Sequence, residues 1–353
     1  MNLMIGTDPA EKGGIASVVT LLMNESFLSR YKIKYITSHE YGSLGYMTLL
    51  ALRAYMLVFG HCLLFRPKIV HVHSASRGSF IRKSTLLAIA RLFGCKTIFH
   101  LHDGEFMAIT QASGAFKQWW TRRTLQKSTK VIVLSETDAN AITQFAPGSQ
   151  VQIIYNAVKV EPLNDLSLEQ EGRILFLGNA GPRKGIFELL TAIAELKKNF
   201  PGIKLVIAGD GNLAEVLTKA RELGIEPNIE ILGWINADQK KQELAKASVF
   251  ILPSRAEGLP MSMLEAMSAN KAVAVSNVGG IPHVVKDGEN GLLMPPADVA
   301  AITATITKLL ENKAFRIQLA LNARKTIVEN YSSETVIKKL STLYVELGAA
   351  PQI

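Results

Sequence analysis

Two glutamates, Glu257 and Glu265, stand eight positions apart in the run Phe250-Ile251-Leu252-Pro253-Ser254-Arg255-Ala256-Glu257-Gly258-Leu259-Pro260-Met261-Ser262-Met263-Leu264-Glu265-Ala266-Met267. Their setting narrows what two carboxylates can do. The apolar stretch Val249 to Leu252 is short enough for a buried parallel strand. Pro253 and Gly258-Leu259-Pro260 then break the chain, and Met261 to Met267 resumes as helix. A helix N-terminus presents unpaired N–H groups and partial positive charge, so it attracts an anion such as a phosphate. Carboxylates flanking an anion site make sense when the anion belongs to a larger ligand. Glu265 would accept hydrogen bonds from a ribose diol. Glu257, with the backbone of Gly258, Leu259 and Pro260, would bind hydroxyls of a sugar beyond the phosphates. The pattern predicts a nucleotide-sugar pocket.

A second candidate follows an earlier apolar run: Gly178-Asn179-Ala180-Gly181-Pro182-Arg183-Lys184-Gly185. Arg183 and Lys184 border a helix start and are placed to neutralise a diphosphate. An Arg-Lys pair is ordinarily solvated surface charge, but the flanking glycines favour a phosphate loop. Gly13-Gly14 lies between the first strand and the first helix, where glycine lets backbone N–H groups approach a ligand; a plain tight turn explains it equally well. The first loop lacks the Gly-x-Gly-x-x-Gly fingerprint of dinucleotide binders. Gly209-Asp210-Gly211 reads as a loop with a helix cap and no catalytic duty.

Six of the seven histidines fall before residue 165. His71/His73 and His100/His102 are each i, i+2 on expected strands, so each pair faces one side. Nearby acids are confined to Asp103 and Glu105 and no cysteine adjoins them, which argues against a metal site. His102-Asp103-Gly104 and His73-Ser74 each stand where a strand ends, His73 and Ser74 being candidates for acceptor contact.

The elements that must position these residues alternate strand and helix throughout. In the first half strands are expected at Asn2–Gly6, Lys32–Thr37, Lys68–His73, Lys96–His102, Val131–Leu134 and Val151–Tyr155. In the second they are expected near Arg173–Leu177, Lys204–Ala208, Ile229–Leu232, Val249–Leu252, Ala272–Val275 and Gly291–Met294. Two such blocks predict an α/β chain of two doubly wound parallel sheets, with ligands bound beyond the carboxyl ends of the strands in a central cleft. The polar stretch Glu161 to Gly172 is the expected hinge. Ser43 to Phe65 is apolar enough to suggest a membrane span, but Arg53 at its centre would cost about 2.5–3.5 kcal/mol there, and a buried or interface-lying helix is expected instead.

Bulk properties agree. The 353 residues suit two domains with their own cores, 48% of them are apolar and 20% charged, as in globular chains. Cys62 and Cys95 lack a CxxC pattern and read as buried thiols of a reducing compartment. No signal peptide is apparent at the N-terminus. The net charge of +9 is lopsided: residues 1–165 carry 18 Lys and Arg against 10 acids, and 166–353 carry 21 against 20. No nucleic-acid motif accompanies the basic half. Arg77, Arg82, Lys83, Arg122, Arg123 and Lys127, with Trp119-Trp120, instead suggest a peripheral anionic membrane surface or a pyrophosphate-bearing acceptor.

The ordered set Glu257 and Glu265 with Glu257-Gly258-Leu259-Pro260, then Val278-Gly279-Gly280-Ile281-Pro282, Asp287-Gly288, Asn290-Gly291-Leu292-Leu293 and Pro295, resembles the family 4 glycosyltransferases and their E-x7-E signature. Upstream, Phe176-Leu177-Gly178, Lys184-Gly185 and Ala208-Gly209-Asp210-Gly211 fit the same family. The resemblance covers nearly the whole chain and is strongest from 172 to 300. It implies the GT-B fold: residues 1–165 plus a C-terminal helix within 335–350 on the acceptor side, and 166–334 binding the donor. It implies a retaining, metal-independent hexosyltransferase with no cofactor beyond its nucleoside-diphosphate sugar, the departing phosphate taking the acceptor's proton. No Asp-x-Asp pair, the metal holder of the other major glycosyltransferase fold, occurs in the chain. In the family the Gly13-Gly14 loop closes over the donor phosphates and the histidine matched by His102 contacts the donor sugar. Arginine usually follows the first glycine of the phosphate loop; here Asn179 stands there, and Arg183 is expected to compensate. The expected setting is the cytoplasmic side of a bacterial membrane, with a lipid-linked acceptor in surface polysaccharide synthesis. A sugar-nucleotide epimerase and a non-catalytic nucleotide-sugar-binding protein are the alternatives.

Overall fold

Aliphatic runs closed off by glycine or a polar residue make the strands; central ones such as Ile69–Ser74, Arg173–Leu177 and Val249–Leu252 are buried along their length because helices cover both sheet faces, while the edge strands Ile33–His39, Val151–Ile153 and Ile229–Gly233 are partly exposed. A computed structural model describes residues 1–160, 162 and 168–352 of the chain. It divides into two units, Met1–Ala157 with Ser333–Ile353, and Val158–Ser332. Of the expected hinge, Glu161 and residues 163–167, with the 165/166 boundary, lie outside the described residues.

In the first unit the described strands are β1 (Asn2–Thr7), β2 (Ile33–His39), β3 (Ile69–Ser74), β4 (Lys96–Leu101), β5 (Lys130–Val133) and β6 (Val151–Ile153). They pair in parallel in the order β2-β1-β3-β4-β5-β6. The chain leaves β1 to one side for β2 and returns to the other for β3, so the order reverses between β1 and β3. The C-terminal helix Ser333–Glu346 belongs to this unit. Its Tyr344 is wholly buried, 5.0 Å from the Phe27 ring and 5.2 Å from Tyr31. Ser333 Oγ donates to Glu25 at the helix start.

The second unit holds β7 (Arg173–Leu177), β8 (Lys204–Ala208), β9 (Ile229–Gly233), β10 (Val249–Leu252), β11 (Ala272–Ser276) and β12 (Leu292–Met294). These are also parallel, in the order β12-β11-β10-β7-β8-β9. Here the reversal falls between β7 and β10. Helix Ile186–Leu196 shows how the faces are covered: Ile186, Leu189, Leu190, Ile193 and Leu196 form one buried stripe at helical spacing. Outside the carboxyl ends of the two strands flanking such a reversal, the loops diverge to opposite faces and leave a crevice, the place where open α/β sheets bind ligands.

Helix Leu44–Phe65 fills the place of the suspected span. By length and composition it could cross a membrane, with mean hydropathy 1.7, and 22% of that window is buried. It lies along the first unit with Leu50, Ala54, Val58 and Cys62 turned inward. Cys62 Sγ is 4.0 Å from Cys95 Sγ and both thiols are free and buried. Burial pushes the Cys62 thiol up to about 12, which keeps it from reacting as thiolate.

Candidate functional site

The loops beyond β7 and β10 carry the two motifs singled out in the sequence, and the structure joins them. After β7 the chain turns through Gly178, whose φ is 158°, and Asn179, which is exposed. It then forms a short 3-10 turn, Pro182–Lys184, ended by Gly185 in the left-handed region. A Cβ at Gly185 would lie 2.1 Å from the carbonyl oxygen of Pro253, so only glycine lets the two loops approach this closely. Arg255 N–H donates to the Arg183 carbonyl at 2.8 Å. Lys184 Nζ then reaches across to Glu257 Oε1 at 2.5 Å, with the lysine side chain 14% and the glutamate 6% exposed. Ser254 Oγ donates to that same Oε1 at 2.6 Å. Both bonds fall on one oxygen, and Glu257 Oε2 has no partner among the described residues.

Burying a carboxylate and an ammonium together is tolerated because each satisfies the other; removing one strands a charge. The pair is therefore a fixed electrostatic element at the mouth of the crevice. Arg183, exposed at the surface of the turn, adds a second cation. Beyond Glu257, Gly258 and Leu259 lead to Pro260, the residue before helix Met261–Ser268, whose first turn receives no side-chain cap. Those N–H groups are available to an anion. Glu265 follows one turn on, 21% exposed, with Oε1 2.6 Å from Lys240 Nζ; its Oε2 likewise has no partner among the described residues.

Glycine contacts brace this geometry from behind. Gly279 has φ 56°, and a Cβ there would sit 1.8 Å from the Glu257 carbonyl oxygen. Gly280 N–H donates to the Gly258 carbonyl at 2.7 Å. A Cβ at Gly209 would lie 2.0 Å from the carbonyl oxygen of Gly178, and one at Gly211 2.5 Å from that of Ala180. The Gly209-Asp210-Gly211 and Val278-Gly279-Gly280 matches thus hold loops against each other.

The remaining predicted residues lie in the first unit. Gly13 precedes helix Gly14–Asn24 with φ 137°, a conformation that favours glycine. His71, His73, His100 and His102 form one stack: β3 and β4 are register neighbours with His73 opposite His100, and the i, i+2 spacing turns all four to the same face. Ring centroids are 4.6 Å apart for His71/His73, 4.9 Å for His73/His100 and 4.1 Å for His100/His102. His73 Nδ1 and His102 Nε2 share a hydrogen at 2.9 Å, and His71 Nδ1 meets the Tyr344 hydroxyl at 3.0 Å. Burial drives all four well below the ordinary imidazole value, His71 and His102 to about 3. Ring nitrogens of His71, His73 and His100 lie within 4.8 Å of one another. A cation there would have to displace imidazole–imidazole hydrogen bonds. Ser74 Oγ donates to the Ala75 carbonyl, and Asp103 accepts from the backbone of Ser76 and Glu105, so it shapes its loop.

Two expectations about the basic half are corrected. Lys83 is fully buried, its ammonium lowered to about 7 by burial and by neighbouring Arg82, so it is no surface cation. Trp120 packs against the core and donates its indole N–H to Ser84 Oγ at 2.8 Å, leaving Trp119 as the half-exposed member of the pair. Sequence reasoning missed Lys240 and Ser254. Ser254 lay inside the motif and carried a signal in its distance of three residues from Glu257. Lys240 carried none, because the contact joins residues 25 apart on different helices.

Comparison with known proteins matches residues 29–162 to the Glycosyltransferase Family 4 model and residues 164–326 to that of the glycosyl transferases group 1. An uncharacterized glycosyltransferase of Methanocaldococcus jannaschii is 29% identical over 235 residues, 62% of this chain and 60% of that protein, so the match leaves two fifths of the relative unspanned. A UDP-Gal:alpha-D-GlcNAc-diphosphoundecaprenol alpha-1,3-galactosyltransferase of Escherichia coli is 26% identical over 79% of this chain and 75% of its own. Among solved structures, Anabaena HepE in complex with UDP-glucose superposes with a TM-score of 0.77 at 17% identity, covering 98% of this chain and 100% of that one. That likeness is one of fold, the GT-B fold.

Proposed function

We propose, for a chain that belongs to the family 4 glycosyltransferases, that it moves a hexose from a nucleoside-diphosphate sugar to an acceptor with retention of anomeric configuration and without a metal ion. The Lys184–Glu257 pair across the β7/β10 crevice carries this reading. Lys184 and Arg183 would balance the charge that grows on the diphosphate as the sugar leaves. The uncapped helix start at Met261 would receive phosphate oxygens, Glu265 the ribose diol, and Glu257 with the backbone of Gly258–Pro260 the sugar. Gly178 lets the loop approach the phosphates, and Asn179 occupies the position at which the family usually supplies arginine. In the proposed step the acceptor oxygen bonds to the anomeric carbon on the face that the phosphate leaves. The carbon–phosphate-oxygen bond breaks, and the acceptor's proton passes to that phosphate oxygen. Protein groups position and stabilise; none forms a covalent bond.

For Gly13, Gly14, His73, Ser74 and His102 the assigned roles rest on motif and position. Neutral His102 can donate one hydrogen bond to a hydroxyl but supplies no charge, so His102→Ala should lower turnover without abolishing donor binding. The lipid-linked acceptor draws support from the Escherichia coli relative, whose name specifies a diphosphoundecaprenol acceptor, and from the basic first half of this chain. We place the work at the cytoplasmic membrane face on the same grounds.

The test is transfer itself. UDP-, GDP- and ADP-hexoses are incubated with diphosphoundecaprenol-linked acceptors in excess EDTA, and the product linkage is read by NMR. An α-linked product from an α-linked donor is expected at an undiminished rate. An inverted linkage, or activity lost to EDTA and restored by magnesium or manganese, contradicts the mechanism. An isomerised nucleotide sugar without acceptor would mark an epimerase, and donor binding without turnover a non-catalytic protein.

A further inference from the structure

Helix Leu44–Phe65 has two apolar sides, and the first unit uses one. Leu50, Ala54, Val58 and Cys62, at intervals of four, are buried. This side packs toward β2 and helix Gly78–Leu92, and at its margin the Phe59 ring lies edge-on to Phe93 at 5.5 Å. At 100° per residue, Leu49, Leu52, Met56, Phe59 and Leu63 form a stripe on the opposite side. Each keeps at least half of its surface in solvent. Leu64 and Phe65, which turn off the stripe in the last turn beyond the packed side, are also exposed. A contiguous apolar face of this size marks a surface that something covers.

Charge decides among the occupants. The helix contains no acid, and its one Arg, Arg53, is exposed beside the stripe. Exposed Arg66 caps its C-terminus, and exposed Arg77 caps the start of the neighbouring helix. A second copy of this chain would bring identical positive surfaces together across a twofold contact, which like-charge repulsion opposes. A transmembrane placement would strip Leu50, Ala54, Val58 and Cys62 from the core they fill. An anionic bilayer satisfies both features: acyl chains take the apolar side chains, and lipid phosphates take the guanidinium groups.

We propose that helix Leu44–Phe65 lies in the plane of an anionic bilayer surface, with the Leu49, Leu52, Met56, Phe59 and Leu63 stripe inserted among the acyl chains. This deepens the lipid-linked reading above, on which it rests, by naming the element that meets the membrane. It also displaces the Trp119–Lys127 region from that role. Trp120 is turned into the core, and the Arg122 guanidinium is held by the Phe145 carbonyl at 3.0 Å and lies 4.8 Å over the Phe145 ring.

The full chain is sedimented with phosphatidylglycerol/phosphatidylcholine vesicles and with pure phosphatidylcholine, alongside a Met56→Ser, Phe59→Ser double variant. Wild type should bind the anionic vesicles, and the variant at least tenfold more weakly, with the same circular dichroism and the same donor affinity. The fluorescence that a Phe59→Trp variant gains over wild type should be quenched by lipids brominated in the acyl chain. Equal vesicle binding by wild type and double variant, no binding by either, or no quenching of that added fluorescence when the Phe59→Trp variant is vesicle-bound would each overturn the proposal. A wild-type dimer in sedimentation velocity that the double variant converts to monomer would assign the stripe to a second copy instead. Loss of donor binding in wild type would sink the proposed transferase while leaving the vesicle result to stand by itself.

Discussion

The sheet β2-β1-β3-β4-β5-β6 and the sheet β12-β11-β10-β7-β8-β9 have the same strand number and direction, yet they accommodate polar side chains in opposite ways. The first packs four imidazoles on one face, His71, His73 and His100 buried and His102 half-buried, and holds them neutral by desolvation. The second gathers charges in pairs at its strand ends. At one end of β7, Arg173 meets Glu230 at 2.8 Å and Glu243 at 2.5 Å. At the other, Lys184 meets Glu257 at 2.5 Å. The Arg173 cluster lies at the amino end of β7, away from the loops that carry the motifs. The Lys184–Glu257 pair sits at the topological reversal, in loops that glycines bring into contact, with one carboxylate oxygen that has no partner among the described residues. Position in the topology, more than pairing itself, separates a structural ion pair from a candidate binding one.

Substitution at Lys184 should break this distinction most sharply. Lys184→Ala is expected to lower kcat by about 100-fold or more, the cost of losing a preorganised charge at a developing anion, with a smaller change in KM. Lys246→Ala, which removes a partner of Glu243 in the other cluster, should leave kcat within about twofold. Equal losses in both would erase the difference claimed between the two ends of β7.

Acidification should separate the units in the other direction. The folded-state imidazoles titrate below their ordinary value of 6.5, His71 and His102 near 3. Their contribution to stability is complete above about pH 6.5 and is lost as pH falls toward the folded value. Each imidazole that must stay neutral costs about 1.4 kcal/mol per pH unit in that window. With Trp234→Phe, the remaining Trp119 and Trp120 report the first unit alone, and urea midpoints from pH 7 to pH 5 should fall. A flat profile would mean the histidines are hydrated or charged.

Gly279→Ala forces a Cβ to 1.8 Å from the Glu257 carbonyl at a φ of 56°. A destabilisation of about 1–3 kcal/mol is expected by thermal or urea unfolding, with donor affinity falling alongside. Gly224→Ala, where φ is 66° and a Cβ meets nothing within 4 Å, isolates backbone strain from the clash. If Gly279→Ala costs no more than Gly224→Ala, the bracing role is wrong.

The smallest expected effects concern Asn179 and Arg183. Arg183→Ala should lower kcat several-fold, and Asn179→Arg should raise it several-fold if compensation is incomplete. A wild-type-like Arg183→Ala enzyme would remove Arg183 from the account.

Much of the second unit was legible because its signals are local. Strand, glycine turn and helix follow one another within Phe250–Met267, and Arg183-Lys184 lies beside its own glycines. The two histidine pairs could be read as i, i+2 spacings, but their merging into one stack depended on the β3/β4 register, which no short segment encodes. The Lys240–Glu265 contact was hidden for the same reason. Burial of Lys83 and Trp120 escaped because a basic or aromatic residue on a helix gives no sign of which face it occupies until the sheet is assembled. Helix Leu44–Phe65 showed its apolar character in sequence, whereas its two-sidedness needed the packed unit to show which stripe was left outside.

If the β7/β10 crevice binds a nucleoside-diphosphate sugar through the loops carrying Lys184, Glu257 and Glu265, donor affinity must depend on Glu265. Isothermal titration of wild type and Glu265→Ala against UDP-, GDP- and ADP-hexoses tests it most directly. One nucleotide class should bind wild type, and Glu265→Ala should bind it at least tenfold more weakly with an unchanged unligated Tm, the loss of a charged acceptor to a ribose diol being worth about 1.5–3 kcal/mol. Wild-type affinity in a well-folded Glu265→Ala protein, or no binding of any nucleotide sugar by wild type, would contradict it.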